Sequence, residues 1–307
     1  MKHKAPRNKT IELSAKDEKF YASKCLKLKE NVSLENVLDR TIHQDSLKAM
    51  DFLPEKCVDL MIVDPPYNLT KSFGSSVFKE MDAKEYKKWL DKWLKKAARL
   101  LKDKASVYIC SDWKTSLFIP EIACKYFMLQ NRISWEREKG RGAQNNWKNC
   151  LEDIWFFTVS KDYTFNLEAV KVQREVIAPY RDKNGNPKDW VDNGNKKYRL
   201  THPSNIWTDI SIPFWSMPEN TSHPTQKPEK LIAKLILASS HPQDVVFDPF
   251  LGSGTTSVTA KKLGRHFIGI EREKEYAALA EKRLEMADTD ASIQGFEGGI
   301  FKARNSF

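Results

Sequence analysis

Hydrophobic and polar positions follow two rhythms along this chain. Short, mostly apolar runs stand at Leu60–Val63, Ala105–Cys110, Val245–Phe247 and His266–Ile270, and each closes on a polar or acidic residue. Runs of that length with no polar face suit strands buried on both sides, as in parallel sheets. Between them the spacing changes to steps of three and four. Tyr86, Trp89, Leu90, Trp93, Leu94, Ala97, Leu100 and Leu101 line one face of a predicted helix that opens on Asp82 and Glu85, a capping-box pair. Leu231, Ile232, Leu235 and Ile236 form a second stripe over Glu229 to Ser240, and Glu273 to Met286 is a third amphipathic helix. Strand and helix in alternation predict an α/β fold with helices on both faces of a mostly parallel sheet.

Elsewhere the pattern is weaker. A short strand near Arg40 to His43 runs out at Asp45 and leads into a helix-like turn around Leu47 to Leu53, and a further helix is expected from about Ser116 to Met128. Asn131 to Glu136 and Asp153 to Val159 read as strands separated by too few residues for a crossover helix, so they are expected to pair antiparallel at the sheet edge. From Thr164 to Asn220 regular periodicity fades, with turn signals at Asn184-Gly185 and Asn193-Gly194. These breaks divide the chain into an N-terminal arm (1–35), one half of a sheet domain (36–163), an irregular insertion (164–220), the second half of the same domain (221–287) and a polar tail without signal (288–307).

Charge narrows the partner. Lys and Arg total 51 against 41 acids, a net charge of +10 that favours an anionic partner such as DNA. Nine of the basic residues fall in residues 1–30, an arm that either follows a DNA backbone or is a solvated tail. Arg137, Lys139, Arg141 and Lys148, with Gln144 and Asn145, make the loop between the two edge strands basic and amide-rich, and Arg174, Arg181 and Arg199 continue this character into the insertion. Asn, Gln and Arg pair with base edges while Lys and Arg hold phosphates, so both segments are expected to meet DNA. The five cysteines are scattered, with no C-x-x-C pair, which indicates neither a disulfide framework nor a zinc site and fits a reducing cytosol. The first residues lack the apolar core of a secretory signal, and no apolar run approaches membrane-spanning length.

Two strand ends carry the candidate chemistry. The run from Leu60 must stop at Asp64, because neither Pro65 nor Pro66 can continue it. Ligands of open α/β sheets bind beyond the carboxyl ends of strands, where the proline carbonyls can turn to a ligand's donors and Tyr67 offers a flat face for stacking. The second end is Asp244 to Thr256: a strand, a turn with Gly252 and Gly254, and a helix start. Those glycines allow a tight turn and close approach to a ligand. Glu271 ends the next strand nineteen residues after Gly252, where a carboxylate could accept both hydroxyls of a ribose. Asp248 at the first strand's end, with no third glycine and no P-loop lysine, points away from phosphate and towards a cofactor with a cationic amino-acid end.

Asp64-Pro-Pro-Tyr67, His223-Pro-Thr-Gln-Lys-Pro228 and Phe247-Asp-Pro-Phe-Leu-Gly-Ser-Gly-Thr-Thr256, in that order, resemble the β-class amino-methyltransferases of bacterial restriction-modification systems over roughly residues 36–287. The resemblance implies a seven-stranded, mostly parallel, Rossmann-like sheet in circularly permuted order, with a target-recognition insertion between the catalytic and cofactor motifs. It also implies transfer of methyl from S-adenosyl-L-methionine to adenine N6 in double-stranded DNA, in a bacterial cytoplasm, by a monomer or homodimer that has a cognate restriction endonuclease as partner. On the same footing Asp64, Pro65, Pro66 and Tyr67 are catalytic, and no metal is needed. Asp248, Phe250, Gly252, Gly254 and Thr255 would line the methionine end of the cofactor, Glu271 its ribose and Asp45 its adenine. Thr225 and Lys227 would lie near its carboxylate, the alternative for Lys227 being a plain helix-entry residue. Cytosine-N4 enzymes of the class more often have Ser where Asp64 stands, which favours adenine. Cytosine-N4 transfer and a catalytically silent DNA-binding module are the competing readings.

Overall fold

The computed structural model describes residues 5–137, 145–176, 180–192 and 197–302. In chain order its strands are β1 (Arg40–His43), β2 (Val58–Val63), β3 (Lys71–Phe73), β4 (Ser76–Phe78), β5 (Leu101–Ser111), β6 (Met128–Glu136), β7 (Leu151–Thr158), β8 (Val172–Glu175), β9 (Val191–Asp192), β10 (Lys197–Thr201), β11 (Ile206–Trp207), β12 (Val245–Asp248), β13 (His266–Glu271), β14 (Phe296–Glu297) and β15 (Ile300–Lys302). The helices are α1 (Ala15–Lys24), α2 (Ser46–Ala49), α3 (Ala83–Leu100), α4 (Ile119–Ala123), α5 (Glu229–Ser239), α6 (Thr255–Lys262) and α7 (Lys274–Met286).

The main sheet runs β1-β13-β12-β2-β5-β7-β6-β11 and is parallel except where β7 pairs antiparallel with β5 and β6. Strands distant in sequence thus become neighbours: β12 lies beside β2, and β1 closes the sheet beyond β13. Residues along β2 alternate between faces, as pleating requires. Met61 and Val63 join the core under α3 and α4, while Leu60 and Ile62 join the core under α5 and α6. On α3, Tyr86, Leu90, Trp93, Leu94, Ala97 and Leu100 are buried, and Asp82 caps the helix by accepting from the Glu85 amide at 2.8 Å. Each large apolar side chain so buried contributes about 1.5 to 3 kcal/mol.

Four expectations change. The described main sheet has eight strands rather than seven, because β11 leaves the insertion to pair with β6 at Ser134 and Trp135. The helix expected from Ser116 to Met128 is only a 3₁₀ turn, Thr115–Leu117, and the short α4; Pro120 lies in the first turn of α4, and β6 already begins at Met128. The insertion is not wholly irregular, nor is the tail without structure: β15 pairs with β8, giving a second sheet in the order β14-β15-β8-β10-β9. The described part of the N-terminal arm is docked rather than a solvated tail. Ser14 and Asp17 form a capping box on α1, α1 packs on α7, Lys282 pairs with Asp17 at 2.9 Å, and Leu26 bridges Ile42 at the sheet edge.

Candidate active site

Four adjacent strands deliver an acid to one edge of the sheet. Asp45 follows β1, Glu271 ends β13, Asp248 ends β12 and Asp64 follows β2. All four line one cavity of about 890 Å³, with Pro65, Pro66, Tyr67, Thr225, Lys227, Phe250, Gly252 and Thr255. That is the size of a pocket for a cofactor-sized ligand, at the position where such sheets bind ligands.

The turn that follows β12 is shaped by its glycines. Gly252 has φ +56° and Gly254 φ +88°; a Cβ on Gly254 would stand 2.6 Å from the Ala280 Cβ, so α7 closes directly on the turn. Asp248 holds the turn from inside, accepting from the Phe250 amide at 2.9 Å and the Thr256 hydroxyl at 2.6 Å. Burial raises its carboxyl to about 7, against the opposing pull of those bonds. Glu271 accepts from the Gly252 amide and the Glu273 amide, both at 2.7 Å, one on each oxygen. Each oxygen keeps a lone pair for a further donor. Phe250 leans on Trp89 and Trp93, with centroids 5.8 and 5.5 Å apart. Asp45 caps α2 through the Lys48 amide at 3.2 Å.

The turn that follows β2 is equally fixed. Tyr86 donates its hydroxyl to the Pro66 carbonyl at 2.8 Å. Tyr67 donates to Asp64 Oδ1 at 2.7 Å, and the Lys227 ammonium lies 2.5 Å from Asp64 Oδ2 and 3.2 Å from the Tyr67 hydroxyl. Lys227 thus lies on the Asp64 carboxylate, immediately before the Pro228 cap of α5. Burial opposes its charge, but Asp64 and Glu152 outweigh burial and hold its proton above the usual lysine range. Burial, then Asp64 and Glu152, likewise push the Tyr67 phenol well above its ordinary value.

Glu152, Arg283 and Glu273 carry no signal in the sequence, whereas His223 opens a motif but is given no role by it. Glu152 is buried, 3.2 Å from Lys227, and accepts from Arg137 at 2.5 Å. It starts an antiparallel strand, so the carboxyl-end rule passes over it. Arg283 of α7 braces the glycine turn through the Ser253 carbonyl at 2.8 Å and Thr255 at 3.1 Å, and is itself held by Glu229 at 2.8 Å. Glu273 reaches the β3–β4 hairpin, accepting from the Ser75 amide and hydroxyl and from Ser76. His223 packs on Tyr276 and Phe73, where burial first and then Lys227 and Lys71 depress its imidazolium to about 3, so it is neutral.

Among the expected DNA contacts, Lys139, Arg141 and Gln144 lie outside the described residues. Asn145 and Lys148 are exposed. Arg137 is turned to Glu152 at the cavity wall. Arg174 and Arg199 are direct cross-strand partners on β8 and β10, while Arg181 lies over the Trp190 ring at 5.2 Å. Like charges opposite one another weaken a strand pair unless an anion joins them, although Asp189 meets Arg199 at 3.5 Å.

Residues 58–282 match the family described as DNA methylase, the N6/N4 methyltransferases, and the chain belongs to that family. It is 34% identical over 263 residues to the type II methyltransferase M.HpaI of Haemophilus parainfluenzae, covering 84% of this chain and 76% of that protein. It is 35% identical over 252 residues to the DNA adenine methyltransferase YhdJ of Escherichia coli (strain K12), covering 80% and 82%. Among solved structures, the M1.HpyAVI–SAM complex is similar with TM-score 0.51 and 25% identity over 80% of this chain and 98% of that one. The cytosine-N4-specific PvuII methyltransferase shares the fold, with TM-score 0.59 and 17% identity over 82% and 92%.

Proposed function

We propose that this chain transfers methyl from S-adenosyl-L-methionine to the N6 of an adenine flipped out of duplex DNA. The observation that carries this reading is the convergence of Asp64 and Glu271, a strand-end acceptor beside a proline turn and a strand-end acid beside a glycine turn, on one cavity. The residues fit the cofactor: Gly252 lines the cavity without a side chain while Gly254 lets α7 close on the back of the turn, Glu271 keeps a lone pair on each oxygen for ribose hydroxyls, and Asp248 offers a carboxylate to a cationic amino-acid end. The bound cofactor supplies a sulfonium methyl whose S–C bond breaks as the N–C bond forms, the electron pair returning to sulfur.

The chain's own residues do the rest. Extrusion of the target base costs about a few kcal/mol of unstacking and unpairing, which the Tyr67 face offsets in part. Asp64 and the Pro65 carbonyl accept the two N6 hydrogens, keep the nitrogen lone pair out of the ring and stabilise the positive charge that grows on nitrogen until one proton passes to Asp64 and from there to water. Asp rather than Ser at position 64 supports adenine over cytosine, as does the name of the Escherichia coli relative. The type II name of M.HpaI extends the reading to a restriction-modification setting with a cognate endonuclease. The five free cysteines and the absence of any membrane-spanning helix among the described residues are consistent with a bacterial cytoplasm.

The experiment is single-turnover transfer of labelled methyl to duplex DNA, with mass spectrometry of the nucleosides. N6-methyladenine from the parental chain, and a loss of about 10²- to 10³-fold in Asp64→Ala with cofactor still bound, are expected. N4-methylcytosine would replace the base assignment, and a near-parental rate in Asp64→Ala would remove Asp64 from the mechanism.

A further inference from the structure

Asp64 is not alone at the catalytic turn. The Lys227 side chain, 8% exposed, stands between two carboxylates, 2.5 Å from Asp64 Oδ2 and 3.2 Å from Glu152 Oε2. Three separate elements supply them: the turn after β2, the start of β7 and the entry to α5. Tyr67 joins the group through its hydroxyl, which lies 3.2 Å from Glu152 Oε2 as well as donating to Asp64. On its outer side Glu152 is held by Arg137.

This arrangement poses a problem for the reaction. An amino group that is to use Asp64 must share or displace an ammonium that already occupies one of its oxygens. With Asp64 as its sole partner, a buried ammonium could yield only at the cost of being left unpaired. Glu152 removes that cost, because Lys227 can shift its weight to Glu152 Oε2 without leaving the site. We propose that Lys227 and Glu152 are a positioning pair for the Asp64 acceptor. Lys227 keeps Asp64 aimed in the free enzyme, and Glu152 receives the lysine when the target amino group arrives. The proposal rests on the methyl-transfer reading above.

Other groups around the ammonium do not replace either partner. Lys71 of β3 and Arg137 add positive charge, Asp248 lines the same cavity with its oxygens bonded to the Phe250 amide and the Thr256 hydroxyl, burial holds the Cys110 thiol well above its ordinary value, and His223 is neutral. Removing Lys227 therefore leaves Asp64 and Glu152 facing one another across Tyr67, and two carboxylates in one site hold a proton between them. A protonated Asp64 is a poorer acceptor for an amino N–H.

The test is single-turnover methyl transfer against pH for the parental chain, Lys227→Met and the double variant Lys227→Met/Glu152→Gln, with cofactor affinity measured by calorimetry. Lys227→Met should lose about 10²-fold in rate, as a misaimed group does, with cofactor affinity unchanged. Its acid limb should move to higher pH, and the double variant should return the limb towards the parental position and recover part of the rate. A loss of cofactor affinity equal to the loss in rate would put Lys227 on the cofactor's carboxylate and overturn the proposal, as would an unmoved limb. A parental chain that moves no methyl fails the functional reading instead, and melting temperature against pH then tests the pair without substrate. A shared proton means a carboxyl pKa raised in the folded state, whose stabilising effect is lost as pH rises through it. Lys227→Met should therefore lose more stability than the parental chain as pH rises, beyond the decline that Asp248 gives every variant, and the double variant should follow the parental profile. A parental profile in Lys227→Met overturns the pairing. Failure of Lys227→Met to fold with recovery in the double variant supports it, and failure of both makes the pair merely structural and overturns it.

Discussion

The amide of Gly252 donates to Glu271 Oε2 at 2.7 Å, so the acid that ends β13 also braces the turn that follows β12. Glu271→Ala should act twice, removing acceptors for a ribose and freeing the amide that sets the turn. Hydrogen bonds to charged groups contribute about 1.5 to 3 kcal/mol each. Calorimetry should show cofactor affinity weakened at least about tenfold while far-ultraviolet circular dichroism is unchanged; equal affinities would remove Glu271 from the site.

Gly254→Ala should be destabilising for two reasons at once. Its φ of +88° strains any side chain, and the added Cβ would meet the Ala280 Cα at 2.8 Å as well as its Cβ. Strain of this kind costs on the order of 1 to 3 kcal/mol before the clash is counted. Thermal melts of the apo chain should fall by several degrees, and Ala280→Gly should not restore them, because the clash with the backbone of α7 would remain.

Asp248, raised to about 7, ties stability to pH. A buried carboxyl with a raised folded pKa favours the folded state when protonated, and that contribution is lost as pH rises from the ordinary carboxylate range through about 7. Apo stability should therefore decline over this window, with a flatter profile in Asp248→Asn. A cation bound beside Asp248 should expel its proton, so calorimetry near neutral pH in buffers of different ionisation enthalpy should reveal proton release on cofactor binding.

Tyr67 offers a ring and a hydroxyl that can be separated. Tyr67→Phe deletes the bond to Asp64 but keeps a stacking face, so DNA affinity should hold while the methyl-transfer step slows. Tyr67→Ala should also lose about 1 to 3 kcal/mol of base stacking. Equal DNA binding in the two variants, measured with cofactor analogue present, would argue against stacking.

Arg174 and Arg199, opposite one another on β8 and β10, should be drawn together by phosphate. Replacing either by Ala should weaken all duplexes alike and reduce the magnitude of the slope of log affinity on log salt by about 0.9 per lost phosphate. A selective loss at one base position, with the slope unchanged, would instead mean base reading.

Much of the cavity is visible in the sequence because buried parallel strands announce themselves as apolar runs, and the residue that ends each run must lie at the ligand edge. Asp64, Asp248 and Glu271 are legible for that reason. Glu152 is not, since β7 is antiparallel and brings its first residues to that edge instead of its last. Arg283 is hidden within an amphipathic helix whose polar positions ordinarily face water, and only the packing of α7 on the glycine turn directs it inward. The second sheet leaves little trace because its strands are two to five residues long and one partner comes from the far end of the chain.

The docked N-terminal segment bears on how hybrid enzymes are built. Lys9 donates its amide to the Trp215 carbonyl and Ile11 to that of Asn220, and the Asn220 side chain reaches Thr10 at 2.8 Å. The exit of the insertion is thus stitched to residues that lie far ahead of it in sequence, while α1 is anchored on α7. An insertion 164–220 grafted from a relative would arrive without its matching stitch. Chimeras that carry residues 8–12 along with the graft should express as better-behaved proteins than those that exchange the insertion alone.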